Sequence, residues 1–245
     1  MSNGNKDDKG WVFYHLLGRR KVPCNKIKNC KNGGKTVIHL NDGPGSDPYK
    51  CKCPKQYEGE FCEKLPNPFS KSKILSGEVY EHQQLLQTWI VGSDSAELCW
   101  RASRDGWDAA TFHTRCDNKK PTVTFIKVGQ YVFGFYVTES WDGSGYKQAP
   151  GSFIFSLRNK ESLAAFKAPL KYENSKNAMY PFYMYGPAVG GGHDIYIADN
   201  AHSSTSSYTN FGSSYEPPHY VNDRKTILAG ARKFSPSEVE VFYLP

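Results

Sequence analysis

No apolar run in this chain approaches the length of about 18 residues that a membrane-spanning helix needs, so a helical span is excluded. The N-x-S/T acceptor for N-glycosylation is missing, and so are acidic runs of the kind that bind calcium salts. A secretory leader is missing too. The opening MSNGNKDDKG is polar and carries two Asp, and the apolar stretch from Trp11 to Leu17 is too short and too far in for a leader's apolar core. The cysteine content conflicts with that absence. The expectation is therefore a fragment that lacks its leader and the body of an upstream domain, whose end is Trp11-Val12-Phe13-Tyr14.

Charge of either sign is not scarce, and its placement is uneven. The 245 residues carry a net charge of +7. Residues 1–64 hold 13 Lys and Arg against 7 Asp and Glu, whereas the remainder holds 18 against 17. Arg19, Arg20, Lys21, Lys26, Lys28, Lys31 and Lys35 crowd around the first cysteines. This basic patch suits anionic glycan or acidic matrix, or is a solvated surface. It carries no nucleic-acid motif and few stacking aromatics, so no nucleic-acid partner is expected. With 16 Tyr and 14 Phe, the chain has the composition of a β-rich globular body.

Five of the seven cysteines fall between positions 24 and 62: Cys24, Cys30, Cys51, Cys53 and Cys62. A segment of roughly 40 residues with so few aliphatic side chains cannot hold a fold by burial alone, so cross-links are expected. Zinc is the competing reading. Cys51-Lys52-Cys53 has one intervening residue where zinc sites use two to four, which favours disulfides and hence an oxidising compartment.

Three runs around these cysteines share one pattern: Cys30-Lys31-Asn32-Gly33-Gly34, Tyr49-Lys50-Cys51-Lys52-Cys53-Pro54, and Tyr57-Glu58-Gly59-Glu60-Phe61-Cys62-Glu63. Together they resemble the EGF-like family. The paired glycines fit the turn opening a two-stranded ribbon, and Gly59 fits the last loop. The resemblance implies the pairs Cys30–Cys51 and Cys53–Cys62. The family's third cysteine is replaced by Thr36, which leaves Cys24 unpaired, or paired with Cys99 or a cysteine of another chain. Calcium-binding members carry acidic residues ahead of the first cysteine, whereas Gly18-Arg19-Arg20-Lys21-Val22-Pro23 stands here, so no calcium site is expected.

The prolines of Leu65-Pro66-Asn67-Pro68-Phe69 mark a linker. Apolar spacing predicts a helix over Glu81 to Ile90, alternation a strand over 96–101, and Asp108 opens a helix reaching Cys116. The period then changes to two, with a hairpin from Val123 through Val137 joined at Val128-Gly129-Gln130. Further strands are predicted at Ser152–Leu157, His193–Ile197 and Glu238–Tyr243. The fold class is mostly β with a few helices: a small disulfide-rich unit followed by an antiparallel β-sandwich.

Seven ordered motifs carry a second resemblance. They are Trp100-Arg101-Ala102-Ser103-Arg104-Asp105-Gly106, Phe112-His113-Thr114-Arg115-Cys116-Asp117, Pro121-Thr122-Val123-Thr124-Phe125-Ile126-Lys127, Phe133-Gly134, Ser140-Trp141, Gly190-Gly191-Gly192-His193-Asp194-Ile195 and Asn210-Phe211-Gly212. The chain over residues 70–245 resembles the TLDc family, with a departure at Phe135, where the family has a second small residue. The resemblance implies a two-sheet sandwich with short helices. Intracellular members of that family are linked to oxidation resistance and to the vacuolar proton pump, with no agreed catalytic mechanism. The expected organisation is an N-terminal segment over 1–20, an EGF-like unit over 21–64, a linker over 65–70 and a TLDc-like domain over 71–245.

The catalytic candidates are Ser103, Asp105, His113 and Asp117. Ser103-Arg104-Asp105-Gly106 offers a hydroxyl, a cation and a carboxylate on one loop, but capping of the next turn and helix accounts for the same residues. His113, Asp117, His193 and Asp194 have no fixed geometry as metal ligands, and no metal is expected. The glycine run 190–192 lacks the Lys-Ser/Thr of a phosphate loop and reads as a tight bend, so no cofactor is expected. A Cys99–Cys116 bridge fits an oxidising setting. These readings point to a secreted, non-enzymatic interaction or extracellular-matrix protein with an unknown protein partner or an anionic glycan. An enzyme or oxidative-stress protector is the alternative.

Overall fold

A computed structural model describes residues 3–7, 10–17, 20–23, 28–38, 49–54, 57–64, 66–90 and 95–245. Cys24 lies outside the described residues. The chain forms two units, Met1–Pro66 and Asn67–Pro245.

In the first unit, β1 (Asn3–Asp7), β2 (Gly10–Leu17) and β3 (Arg20–Pro23) form an antiparallel meander. Next, β4 (Lys35–Ile38) and β5 (Tyr49–Lys52) pair as a ribbon in which Thr36 faces Cys51. Disulfides join Cys30 to Cys51 and Cys53 to Cys62. The Thr36 hydroxyl donates to the Lys28 carbonyl at 2.8 Å and lies 3.5 Å from the Cys30 sulfur. The turn into β4 divides its demands between neighbours. Asn32 and Gly33 take positive φ, and Gly34 is needed for room, since a Cβ there would meet the Cys62 sulfur at 2.5 Å.

The second unit begins with Phe69, Ile74 and Leu75 buried ahead of α1 (Tyr80–Trp89). After β6 (Glu97–Arg101) come the short α2 (Ala102–Asp105) and α3 (Ala109–Cys116). Asp108 caps α3, its carboxylate accepting from the Thr111 amide at 2.7 Å. The chain continues through β7 (Thr122–Val128), β8 (Tyr131–Val137), β9 (Phe153–Arg158) and β10 (Phe166–Pro169). It closes with β11 (Ala188–Val189), β12 (Ile195–Tyr196), β13 (Ser207–Thr209), β14 (Lys233–Phe234) and β15 (Glu238–Tyr243).

Six of these strands form one antiparallel sheet in the order β10-β9-β8-β7-β15-β6, and four form another in the order β11-β12-β13-β14. The large sheet is buried on both faces, which is why β8 and β9 carry apolar residues at positions of both parities. Ile126, Phe133, Phe135, Ile154, Val239 and Val241 pack with Val189, Ile195 and Phe234 of the small sheet. On the other face, Val123, Phe125, Phe153, Phe155 and Phe242 pack with Phe69, Leu75, Leu86 and Ile90. The molecule is mostly antiparallel β in a sandwich. Gly134 marks the tightest approach in β8, because a Cβ there would fall 1.9 Å from the Thr124 carbonyl oxygen; the adjacent Phe135 is fully buried. Cys99 of β6 is bonded to Cys116 at the end of α3.

Glu240, in β15, is fully buried and accepts from the Arg101 Nε at 2.6 Å and the Lys73 amide at 2.9 Å. Ser72 donates its hydroxyl to the same carboxylate, and Arg101 reaches on to the Lys71 carbonyl at 2.5 Å. Removing one member leaves the other charge buried and unpaired. Glu240→Ala is therefore expected to cost about 3–5 kcal/mol of folding stability, measured by urea denaturation. The double change Arg101→Met/Glu240→Leu should cost less than the single one.

Candidate functional site

The four residues that the sequence offered for catalysis do not form one site. Asp105, the last residue of α2, turns back to the end of β6 and accepts from the Arg101 amide at 2.9 Å. Arg104 donates to both of its oxygens at 2.7 and 2.8 Å, and Arg115 approaches to 3.2 Å. Burial alone would raise the Asp105 carboxyl, but these partners outweigh it and hold the group below its ordinary value. Ser103 hydrogen-bonds Glu238 through its hydroxyl, and its amide donates to Glu238 Oε1 at 3.1 Å. Glu238 thus caps the N-terminus of α2 from a distant strand. The predicted cap of the following helix falls instead to Asp108.

His113 is also occupied. Its Nδ1 lies 2.8 Å from Asp117, and its Nε2 lies 3.2 Å from the Phe182 carbonyl and 3.1 Å from that of Tyr185. Three oxygens face two ring nitrogens, so the ring fastens α3 to the loop carrying residues 182–185. Ser103, Asp105, His113 and Asp117 line neither the cavity beside Arg158 and Lys160 nor the one beside Lys73 and Gly129. Among the described residues, no group of three or more His, Cys, Asp or Glu is placed to hold a metal.

Asp194 organises the glycine motif. Its buried carboxylate accepts backbone N–H bonds from Gly212, Ser213, Ser214 and Tyr215 at 2.8, 3.0, 2.7 and 3.3 Å. Gly190 must lack a side chain, since a Cβ would lie 2.0 Å from an Asp194 oxygen. Burial pushes the Asp194 carboxyl up to about 6, against the pull of those amides.

The same turn places His193, at φ 60°, in a cluster of aromatic rings. Tyr180, Tyr196 and Tyr185 lie 5.2, 5.5 and 5.9 Å from it, centroid to centroid. Tyr146 packs at a tilt on Tyr180 at 4.7 Å, and Tyr208 on Tyr196 at 5.1 Å. Phe182 and Tyr183 extend the cluster, and Tyr146, Tyr183 and Met184 are 47, 65 and 55% exposed. Burial lowers the His193 imidazole, and burial with neighbouring Tyr185, Tyr208 and Asp199 raises the Tyr196 phenol to about 12. The His193 imidazole and the Tyr196 phenol are both favoured in their neutral forms. The cluster offers ring faces and hydroxyls, chemistry suited to contact. The run Tyr180-Pro181-Phe182-Tyr183-Met184-Tyr185 is the signal in the sequence that could have found it.

The two aspartates are expected to titrate in opposite senses. Carbon-detected NMR should place the Asp194 carboxyl near 6 and the Asp105 carboxyl below its ordinary value. Asp105 then contributes stability above the ordinary carboxylate range of about 3.9 and loses it as pH falls through its lowered value. Asp194 has the reverse sign, since folding retains a proton that the unfolded chain has released. Its contribution to stability declines as pH rises from about 4 to about 6.

No curated protein matches the chain. A family model described as the TLDc domain matches residues 68–245, a span that takes in both sheets, the Glu240 network, the Asp194 turn and the aromatic face; residues 1–67 lie outside the match. The chain accordingly belongs to the TLDc domain family.

Proposed function

We propose that the chain is a secreted, non-enzymatic interaction or extracellular-matrix protein, in which an EGF-like unit acts as a stapled spacer and the TLDc domain presents its aromatic face to a protein partner. The observation that carries this reading is the ring cluster around His193, with Tyr146, Tyr183 and Met184 standing out from it. Tyr and Met are enriched in the anchoring centres of protein interfaces, and Tyr gives large contact area for little conformational entropy. A clustered set of this kind is unlike the single exposed apolar residues that any surface carries.

Three further points support it. The bridges Cys30–Cys51, Cys53–Cys62 and Cys99–Cys116 suit an oxidising compartment. The basic excess of residues 1–64 suits anionic matrix or glycan. The groups that an enzyme would need are engaged internally: Ser103 with Glu238, Asp105 with two arginines, and His113 with Asp117 and two carbonyls.

Two measurements test this. Mass-spectrometric mapping of the protein from its native source should find the three bridges intact; free thiols throughout residues 24–62 would overturn the extracellular assignment. Retention on matrix from the same source should fall by about tenfold or more for Tyr183→Ser/Met184→Ser, with melting unchanged, because both side chains are exposed. Equal retention of the variant and the parent chain would remove the aromatic face as the contact surface.

A further inference from the structure

On the TLDc domain a second feature stands apart from the aromatic face in its chemistry. A cavity of about 390 Å³ is lined by the end of β9, the turn between β7 and β8, the loop over 159–165, and His82 of α1. Three of its lining residues are basic, Arg158, Lys160 and His82, and none is acidic.

The carboxylate that balances this charge is buried. Glu78, with its side chain 1% exposed, lies 2.7 Å from an Arg158 terminal nitrogen and 2.8 Å from His82 Nδ1. It orients both basic residues without being part of the lining. Arg158 Nε is buried and donates to no described residue. Lys160 donates to the Thr226 hydroxyl at 2.9 Å and lies 4.0 Å from the exposed Asp223, so its head is positioned but only weakly neutralised.

The cavity wall is preformed. Tyr131 rests on Gly230, where a Cβ would fall 2.2 Å from the ring. The Asn159 side chain clamps the loop by donating to the Leu163 carbonyl and accepting from the Leu163 amide, both at 2.9 Å. Backbone amides are consumed here: Ser162 donates to the Asn159 carbonyl and Lys160 to that of Ile227. With the amides of Lys160, Ser162 and Leu163 engaged, the 160–163 stretch lacks the run of free N–H groups that usually cradles a polyphosphate. A single anionic group held by side chains is what fits. Leu157, Leu163, Ala164 and Ala165 supply an apolar surface beside the basic residues, with Ser162 and Gln130 as hydroxyl and amide partners.

We propose that this cavity binds one acidic sugar residue, with its carboxylate or sulfate at Arg158, Lys160 and His82 and the C–H face of its ring against the apolar wall. The size is in the range of small-ligand sites, and a clamped wall lowers the ordering cost of binding. The inference rests neither on secretion nor on the aromatic face.

Amide NMR of the full chain would be recorded with four probes: a glucuronate-containing disaccharide, a sulfated disaccharide, their neutral counterpart, and inorganic sulfate. The expected result is saturable shifts confined to residues 82, 130–131 and 157–165 with either acidic disaccharide, weakening as salt rises. The neutral sugar should bind at least about tenfold more weakly, and Lys160→Glu and Arg158→Lys should each lower affinity by a similar factor. Arg158→Lys keeps a cation for Glu78, and a melting curve on each variant reports whether it folds. If a variant fails to fold, the parent chain's shift map still decides the matter. Equal binding of the neutral sugar, inorganic sulfate binding as tightly as the disaccharides, shifts centred elsewhere, or full affinity in both folded variants would each overturn the proposal.

Discussion

The TLDc domain depends on one buried carboxylate. Glu240 sits in the last strand of the chain, and β15 lies inside the six-stranded sheet between β7 and β6. A charge so placed is tolerable only if its partners arrive with it. They come from the first part of the domain: Arg101 from the neighbouring strand, and Ser72 and the Lys73 amide from the segment that opens the domain. Helix α1 and the Phe69–Leu75 segment cover the sheet's second face, so that covering is anchored by a group that belongs to the sheet itself. The first and last parts of the domain are therefore linked energetically. A truncation at the C-terminus removes β15 and also releases the segment that shields Phe125, Phe155 and Val123.

Asp194 solves a similar problem on the small sheet by other means. Among the described residues no cation pairs with it, and four consecutive amides take that place. Backbone donors are fixed in direction, so they hold the 212–215 segment to the turn more tightly than a flexible lysine could. The cost is visible in its raised pKa, since amides offset only part of the loss of water. The turn that forms around this carboxylate sets His193 in a left-handed conformation among the tyrosines. The burial of one acid thus determines where the aromatic face is built.

Much of this fold can be read from residue order, and the exceptions have physical reasons. The hairpin through Val123 and Val137 and the strand Glu238–Tyr243 are legible because alternation and a Gly turn act locally. The strand predicted over His193–Ile197 is shortened to Ile195–Tyr196, because His193 and Asp194 are committed to the turn. The N-terminal meander of residues 3–23 carries no such local signal, and its apolar stretch reads equally well as the end of an upstream domain. Ser103 and Asp105 read as caps of the next turn and helix, yet their partners lie backwards at Arg101 and 135 residues onward at Glu238. No spacing rule reports a partner that far away. For the same reason the aromatic face is illegible as a unit: its rings come from a loop at 146, a run at 180–185, and positions 193, 196 and 208.

A surface performs chemistry only with groups that the fold has not already used. In this domain the hydroxyl, carboxylates and imidazole of the two family-like motifs at 100–106 and 112–117 each hold a strand, a helix end or a loop in place. Such groups resist recruitment as nucleophile or base, since moving them exposes a helix terminus or an unpaired buried charge. Among the described residues two sets stand less committed: the ring faces around His193, and the cations beside Leu157 and Leu163. Both are held rigidly by groups buried behind them, His113 and Asp194 in one case and Glu78 in the other. Rigid and partly exposed groups favour recognition, because little ordering is left to be done on binding. The two sets also differ in kind, one aromatic and the other cationic. A protein docked on the first and an acidic glycan held by the second would therefore not compete for the same side chains.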